Sequence, residues 1–193
     1  MRKKIILASR SPRRIQLLTD LGVSFTAVAS DVPEEIRGLE KPEAAVMRIS
    51  KAKAEAVAEK ETGIIIAADT IVQCQDEIMG KPKNESEAYQ QLRKLSGREH
   101  VVLTGLCVFD EKKDEAEVQC ETSKVFFRKL SDEEINFYIS TGEPLDKAGS
   151  YGIQGRGALF VNRVEGCYYN IVGLPLTRLY LMLKKCGVDL LGR

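Results

Sequence analysis

At 193 residues the chain is long enough for one sizeable domain or two small lobes. Its composition, 44% hydrophobic and 30% charged, is that of a soluble globular protein, and a formal net charge of +1 gives no global reason to expect a nucleic-acid or membrane partner. The N-terminus, Met1-Arg2-Lys3-Lys4, is basic, but the apolar run after it covers only residues 5–8, too short for a signal peptide or a membrane span. Cys74, Cys107, Cys120, Cys167 and Cys186 are odd in number, far apart and without a Cys-x-x-Cys pair, as expected of reduced thiols in a cytoplasmic protein. His100 is the only histidine, so Cys-His and Ser-His-Asp mechanisms and Cys/His zinc sites have little support. A catalytic metal would be held by carboxylates and phosphate oxygens, which selects Mg²⁺ or Mn²⁺.

A short apolar strand at residues 5–8 runs directly into a helix. Ser11 is a good N-cap, Pro12 suits the first helical position, Leu17, Leu18 and Leu21 form one apolar stripe, and Gly22 is a natural stop. Arg10, Arg13 and Arg14 crowd the positive end of the helix dipole, where cations are disfavoured and free backbone N–H groups emerge. The turn reads as an anion site for a polyphosphate. A basic surface helix is the alternative, but Arg14 lies on the apolar stripe, three and four residues before Leu17 and Leu18.

Residues 23–29 read as a strand, followed by an acidic loop at 30–35 that is either solvated or lends a carboxylate to a cation. A helix is expected over 42–60, with Val46, Ile49 and Val57 on its apolar stripe, Lys53 near the stripe's centre, and Arg48, Lys51 and Glu55 outside it. A lysine so placed snorkels to the edge or meets buried negative charge, and the suspected anion site favours the second. Residues 64–72 give the strongest strand signal, a near-continuous apolar run that should be covered on both faces. Asp69 interrupts it, and a carboxylate there is costly unless paired, metal-bound or lining a cleft, which favours a functional role over a structural hydrogen bond. Thr70 points to the opposite face.

Gln75-Asp76 reads as a hairpin tip, and Gly80-Lys81-Pro82 either is an ordinary turn or delivers Lys81 towards Asp69. Neither a P-loop nor a Rossmann fingerprint is present. Asn84 and Glu87 form a capping box before a helix whose Ala88, Leu92 and Leu95 face the core. Strands at 100–109 and 117–129 flank a charged loop, and Ser131 and Glu134 form a second capping box. Gly149, Gly152, Gly155 and Gly157 allow close backbone approach to a ligand, with Asp146, Lys147 and Gln154 suited to read a base or a phosphate; a flexible loop is an even alternative. A strand at 158–164 follows. The last helix begins after Gly173-Leu174-Pro175, with Leu176, Leu179, Tyr180 and Leu183 at core spacing. No repeat or linker divides the chain, so one domain over 1–193 is expected.

Five motifs stand in order over nearly the whole chain: Leu-Ala-Ser-x-Ser-Pro-Arg-Arg (7–14), Ala-Asp-Thr-x-Val (68–72), Gly-Lys-Pro (80–82), Asp-Lys-Ala-Gly-x-Tyr-Gly-Ile-Gln-Gly (146–155) and Val-Gly-Leu-Pro (172–175). Together they resemble the Maf family, septum-formation-inhibitor proteins regarded as nucleoside triphosphate pyrophosphatases. The resemblance implies an α/β fold shared with inosine triphosphate pyrophosphatases: an elongated, strongly twisted mixed sheet flanked by helices, with two lobes around a deep cleft. It implies hydrolysis of a nucleoside triphosphate to monophosphate and pyrophosphate with a divalent metal, in a house-cleaning role linked to septum formation. By its motifs, Asp69 matches the proton acceptor, and Glu34 aligns with the metal-side carboxylate, joined by Asp69. Ser9, Arg13, Arg14, Lys53, Thr70, Lys81 and Gln154 match substrate-binding positions. Of these, Arg13, Thr70 and Gln154 fall at selectivity positions and imply dTTP, UTP and modified pyrimidine triphosphates. A homodimer is expected by analogy with the family.

The residues themselves agree in outline. Cleavage at the α-phosphorus needs a positioned water, a carboxylate to take its proton, and cations to hold the developing charge. Asp69 is the base, or shares base and metal-ligand roles. A regulator of cell division that binds nucleotide or nucleic acid without hydrolysis would explain the basic helix start, but gives no reason for Asp69 in a buried strand.

Overall fold

The apolar run around Asp69 becomes an interior strand of a seven-stranded mixed sheet. A computed structural model describes residues 3–192, so Met1 and Arg2 of the basic N-terminus lie outside the described residues. The strands are β1 (Ile5–Leu7), β2 (Thr26–Ala27), β3 (Ile64–Cys74), β4 (Glu77–Met79), β5 (Glu99–Asp110), β6 (Glu115–Phe127) and β7 (Val161–Glu165). Their order is β2-β1-β3-β5-β6-β7, with β4 hairpinned onto β3. β1 pairs in parallel with β2 and β3, whereas β4 and β7 run antiparallel to β3 and β6. The helices are α1 (Pro12–Asp20), α2 (Pro42–Ala58), α3 (Glu85–Leu95), α4 (Asp132–Ser140), α5 (Tyr168–Val172) and α6 (Leu176–Lys185).

The chain forms two compact units, each built from separated segments. The first takes residues up to Asp69, Thr104–Glu121 and the chain from Gly173 onward; the second takes Thr70–Leu103 and Thr122–Val172. In the first unit a core of Ile6, Ala8, Ala54, Val57, Ile65, Ala67, Cys107 and Phe109 seats α2 against the sheet. Gly105 makes that seat possible. A Cβ on it would stand 2.1 Å from the Val46 carbonyl oxygen, so the backbone of α2 lies directly on β5.

The second unit holds α3 and α4, and its buried rings pack edge to face: Phe127 lies 4.9 Å from His100 and 4.7 Å from Tyr151 between centroids. The segment from 143 to 160 is not a flexible excursion. It winds through three 3₁₀ turns, Glu143–Asp146, Ala148–Ser150 and Gly155–Phe160, and buries Gly149, Ser150, Tyr151, Gly152 and Ile153.

Several local expectations are corrected. The strand expected at 23–29 shrinks to Thr26–Ala27, because β1 offers it just two partners at the sheet edge. Leu21 is exposed, since α1 ends at Asp20 and the chain turns at Gly22, whose φ is +67°. Ser11 stands at the N-cap of α1 without a side-chain cap; its own N–H donates to Ser9 Oγ at 3.1 Å. Asn84 caps α3 as expected, but the Glu87 carboxylate accepts from Lys83 N rather than closing the box. Residues 158–160 continue a 3₁₀ turn before β7 begins, and α5 carried no periodic signal. The capping box of Ser131 and Glu134 is complete.

Among the described residues no helix is long and apolar enough to cross a membrane, and none of the five cysteines forms a disulfide.

Candidate active site

In the first unit, the misfit charges of α2 and β3 meet each other. Lys53 projects from the buried face of α2, and its Nζ lies 2.7 Å from Asp69 Oδ1 and 2.6 Å from Glu34 Oε1. The Lys53 and Asp69 side chains are only 7% and 8% exposed, so the ammonium supplies the partner that a carboxylate in an apolar strand requires. Glu34 reaches the same ammonium from the acidic loop and is half-exposed. That loop is tied to α2 by Arg48, which donates to the Glu40 carboxylate at 2.7 and 2.9 Å and to the Glu35 carbonyl at 2.9 Å. The Arg48 hydrogen bonds hold the Glu40 carboxyl down to about 2.

The β1–α1 turn carries the arginines expected from sequence to bind an anion. Arg14 is fixed at two points: its Nε donates to the Gly173 carbonyl at 2.7 Å, and its Nη1 donates to the buried Ser9 hydroxyl at 3.4 Å. Burial pulls the Arg14 guanidinium below its ordinary value; the charge of Asp69 opposes this, Arg13 adds to it, and Glu34 opposes it. Arg14 therefore sits in the field of the Lys53–Asp69–Glu34 cluster, with Arg13 beside it. Arg10 departs from the expected cluster of three arginines. It pairs in solvent with Asp31 at 2.8 Å.

Thr70, Lys81 and Gln154 belong to the second unit. Thr70 is partly buried on β3, and Lys81 and Gln154 are exposed. Two of their motifs are joined there: the Gly80 carbonyl next to Lys81 accepts from Gly149 N at 3.2 Å and from Gln91 Nε2 at 3.3 Å. Lys147, read from sequence as suited to a base or phosphate, turns inward instead, donating to the Glu143 carbonyl and to Asp146, each at 2.6 Å. The sequence reading missed Arg48, Glu40, Gly105 and the anchoring role of Gly173. For Arg48 and Glu40 the eight-residue separation gives no helical signal; for the glycines the contact is made by backbone.

Two carboxylates that converge on one ammonium present the hard oxygen donors that Mg²⁺ or Mn²⁺ takes, so Glu34 and Asp69 fit such an ion, with phosphate oxygens and water completing its shell. Among the described residues no cluster of three or more Asp, Glu, His or Cys side chains could hold a metal by itself.

The family model for Maf-like proteins matches residues 4–186. The chain belongs to the Maf-like proteins. It is 48% identical over 186 residues to the dTTP/UTP pyrophosphatase of Syntrophomonas wolfei, covering 96% of this chain and 98% of that one. It is 51% identical over 193 residues to the dTTP/UTP pyrophosphatase of Dictyoglomus thermophilum, covering 99% and 100%. Among solved structures, the Staphylococcus aureus Ham1 protein shares the fold of this Maf-like chain, with a TM-score of 0.54 at 15% identity over 95% of this chain and 99% of that one.

Proposed function

We propose that this protein is a nucleoside triphosphate pyrophosphatase that converts dTTP and UTP, and modified pyrimidine triphosphates, to the monophosphate and pyrophosphate, with the whole chain serving that activity. One observation carries the reading: the buried Asp69 carboxylate held by Lys53 and faced by Glu34. The names of two relatives, 48% and 51% identical over nearly their full length, support the substrate class.

In this reaction a water oxygen bonds to the α-phosphorus while the bond from that phosphorus to the α,β-bridging oxygen breaks. Asp69 takes the water's proton, and pyrophosphate leaves with the bridging oxygen. Lys53 fixes the orientation of the Asp69 carboxylate. Arg13, Arg14 and Lys81 hold the negative charge of the triphosphate, joined by Lys53 once substrate is present, and Ser9 keeps Arg14 in place. A divalent cation held by Glu34 and Asp69 would polarise the phosphoryl oxygens and neutralise part of their charge. Arg13, Thr70 and Gln154 read the base. Five widely spaced cysteines, odd in number, fit a cytoplasmic setting.

The test is a product assay with Mg²⁺ or Mn²⁺ over a panel of canonical and modified nucleoside triphosphates, in which pyrophosphate is distinguished from orthophosphate. Pyrophosphate released fastest from dTTP or UTP is the expected result. Pyrophosphate released fastest from a purine nucleotide would overturn the selectivity, and orthophosphate would overturn the reaction.

A further inference from the structure

Gln154 is exposed, on a backbone held two residues away on each side. Before it, Gly152 N donates to the Tyr138 hydroxyl at 3.1 Å. After it, Arg156 N donates to Glu143 Oε2 at 3.3 Å, and Gly157 N donates to Glu143 Oε1 at 3.5 Å. The two anchors are themselves linked, because the Tyr138 hydroxyl donates to Glu143 Oε1 at 2.9 Å. Tyr138 is 1% exposed in the core of α4, so the chain of contacts ends on a fixed point. The glycines complete it. Gly155 has φ +71°, and a Cβ there would stand 3.1 Å from the Glu143 carboxylate; a Cβ on Gly157 would stand 2.3 Å from the Gly152 carbonyl oxygen.

We propose that Glu143, acting with Tyr138, is a positioning residue that holds Gln154 at the height and angle from which it selects the base. This rests on the reading of Gln154 as a base contact. Glu143 itself touches no substrate. It accepts the backbone N–H groups of Arg156 and Gly157, two and three residues after Gln154, and the hydroxyl that secures the backbone before it, so the loop presents one conformation to the nucleotide rather than many.

The test compares Glu143→Gln, Tyr138→Phe and Gln154→Ala with the unaltered protein by kcat and KM on dTTP and on a purine triphosphate, together with amide hydrogen exchange. Glu143→Gln replaces one acceptor oxygen by an NH₂ group facing the loop's N–H groups, and both positioning variants keep the side-chain volume, so folding is retained. The expected result is faster exchange at Arg156 and Gly157 in Glu143→Gln and at Gly152 in Tyr138→Phe. Each also loses about tenfold in pyrimidine preference, carried by KM, as does Gln154→Ala. If Gln154→Ala alters the preference while both positioning variants retain it, the proposal is overturned and the base-contact reading stands. If Gln154→Ala retains the preference while exchange still quickens in Glu143→Gln, the base-contact reading is the part that fails, and the proposal goes with it.

Discussion

Lys53 Nζ and Asp69 Oδ1 lie 2.7 Å apart in a setting that excludes most solvent. Removing one partner of such a pair strands the other charge in the core, at a cost of about 3–5 kcal/mol. Lys53→Met is therefore expected to lose about that much stability in urea unfolding at pH 7. The double variant with Asp69→Asn should recover a large part of it, because the stranded carboxylate is gone. A loss in the double variant equal to the sum of the losses in Lys53→Met and Asp69→Asn alone would show that the two groups are not coupled.

Arg14 is held by a backbone carbonyl at Gly173 and a hydroxyl at Ser9, which uses the fork of its guanidinium. Lysine carries the charge without the fork. Arg14→Lys is expected to raise KM for dTTP about tenfold with a smaller change in kcat, read by steady-state kinetics. An unchanged KM would remove Arg14 from substrate binding.

Gly105 marks a backbone-to-backbone approach between β5 and α2. Gly105→Ala should cost about 1–3 kcal/mol, since the Cβ meets the Val46 carbonyl and not a flexible side chain. Lys53 lies seven residues, two helical turns, beyond Val46 on the same face of α2. The displaced helix should therefore also lower kcat, and assay of the folded variant below its melting temperature separates the two effects.

His100 gives a pH dependence of known sign. It is 1% exposed, its Nε2 is 2.8 Å from the Tyr151 hydroxyl, and its Nδ1 is buried without a hydrogen-bond partner. Burial depresses it from 6.5 to about 4. The unfolded chain then binds the proton first, so this stability is fully present above pH 6.5 and is lost as the pH falls towards 4, up to about 3 kcal/mol. Glu40 and Glu134, held down to about 2 by Arg48 and Arg128, lose their contributions only below the ordinary carboxylate range. Urea midpoints measured between pH 7 and 4.5 should therefore fall steadily, and His100→Phe should flatten the slope.

The charges at the centre of the site were legible in the sequence because each breaks a local pattern. Lys53 interrupts a helical stripe and Asp69 an apolar strand, and burial forces two such misfits to meet. The segment bearing Ser9 and Arg14 was legible through the strand-to-helix turn. The supports were not. The Gly173 carbonyl, the Gly105 contact and the Glu143 carboxylate act through backbone groups far away in sequence, which leave no periodicity. From sequence the 146–157 segment is evenly balanced between loop and ligand reader, because glycine content records conformational freedom and not the partners that remove it.

The most direct test of the central claim is hydrolysis of dTTP in ¹⁸O-labelled water, with the label located by mass spectrometry in the unaltered protein and in Asp69→Asn. Attack on the α-phosphorus with Asp69 as proton acceptor predicts one labelled oxygen in the thymidine monophosphate, none in the pyrophosphate, and loss of turnover in Asp69→Asn with nucleotide binding retained. Label in pyrophosphate or orthophosphate, or undiminished turnover in Asp69→Asn, would contradict it.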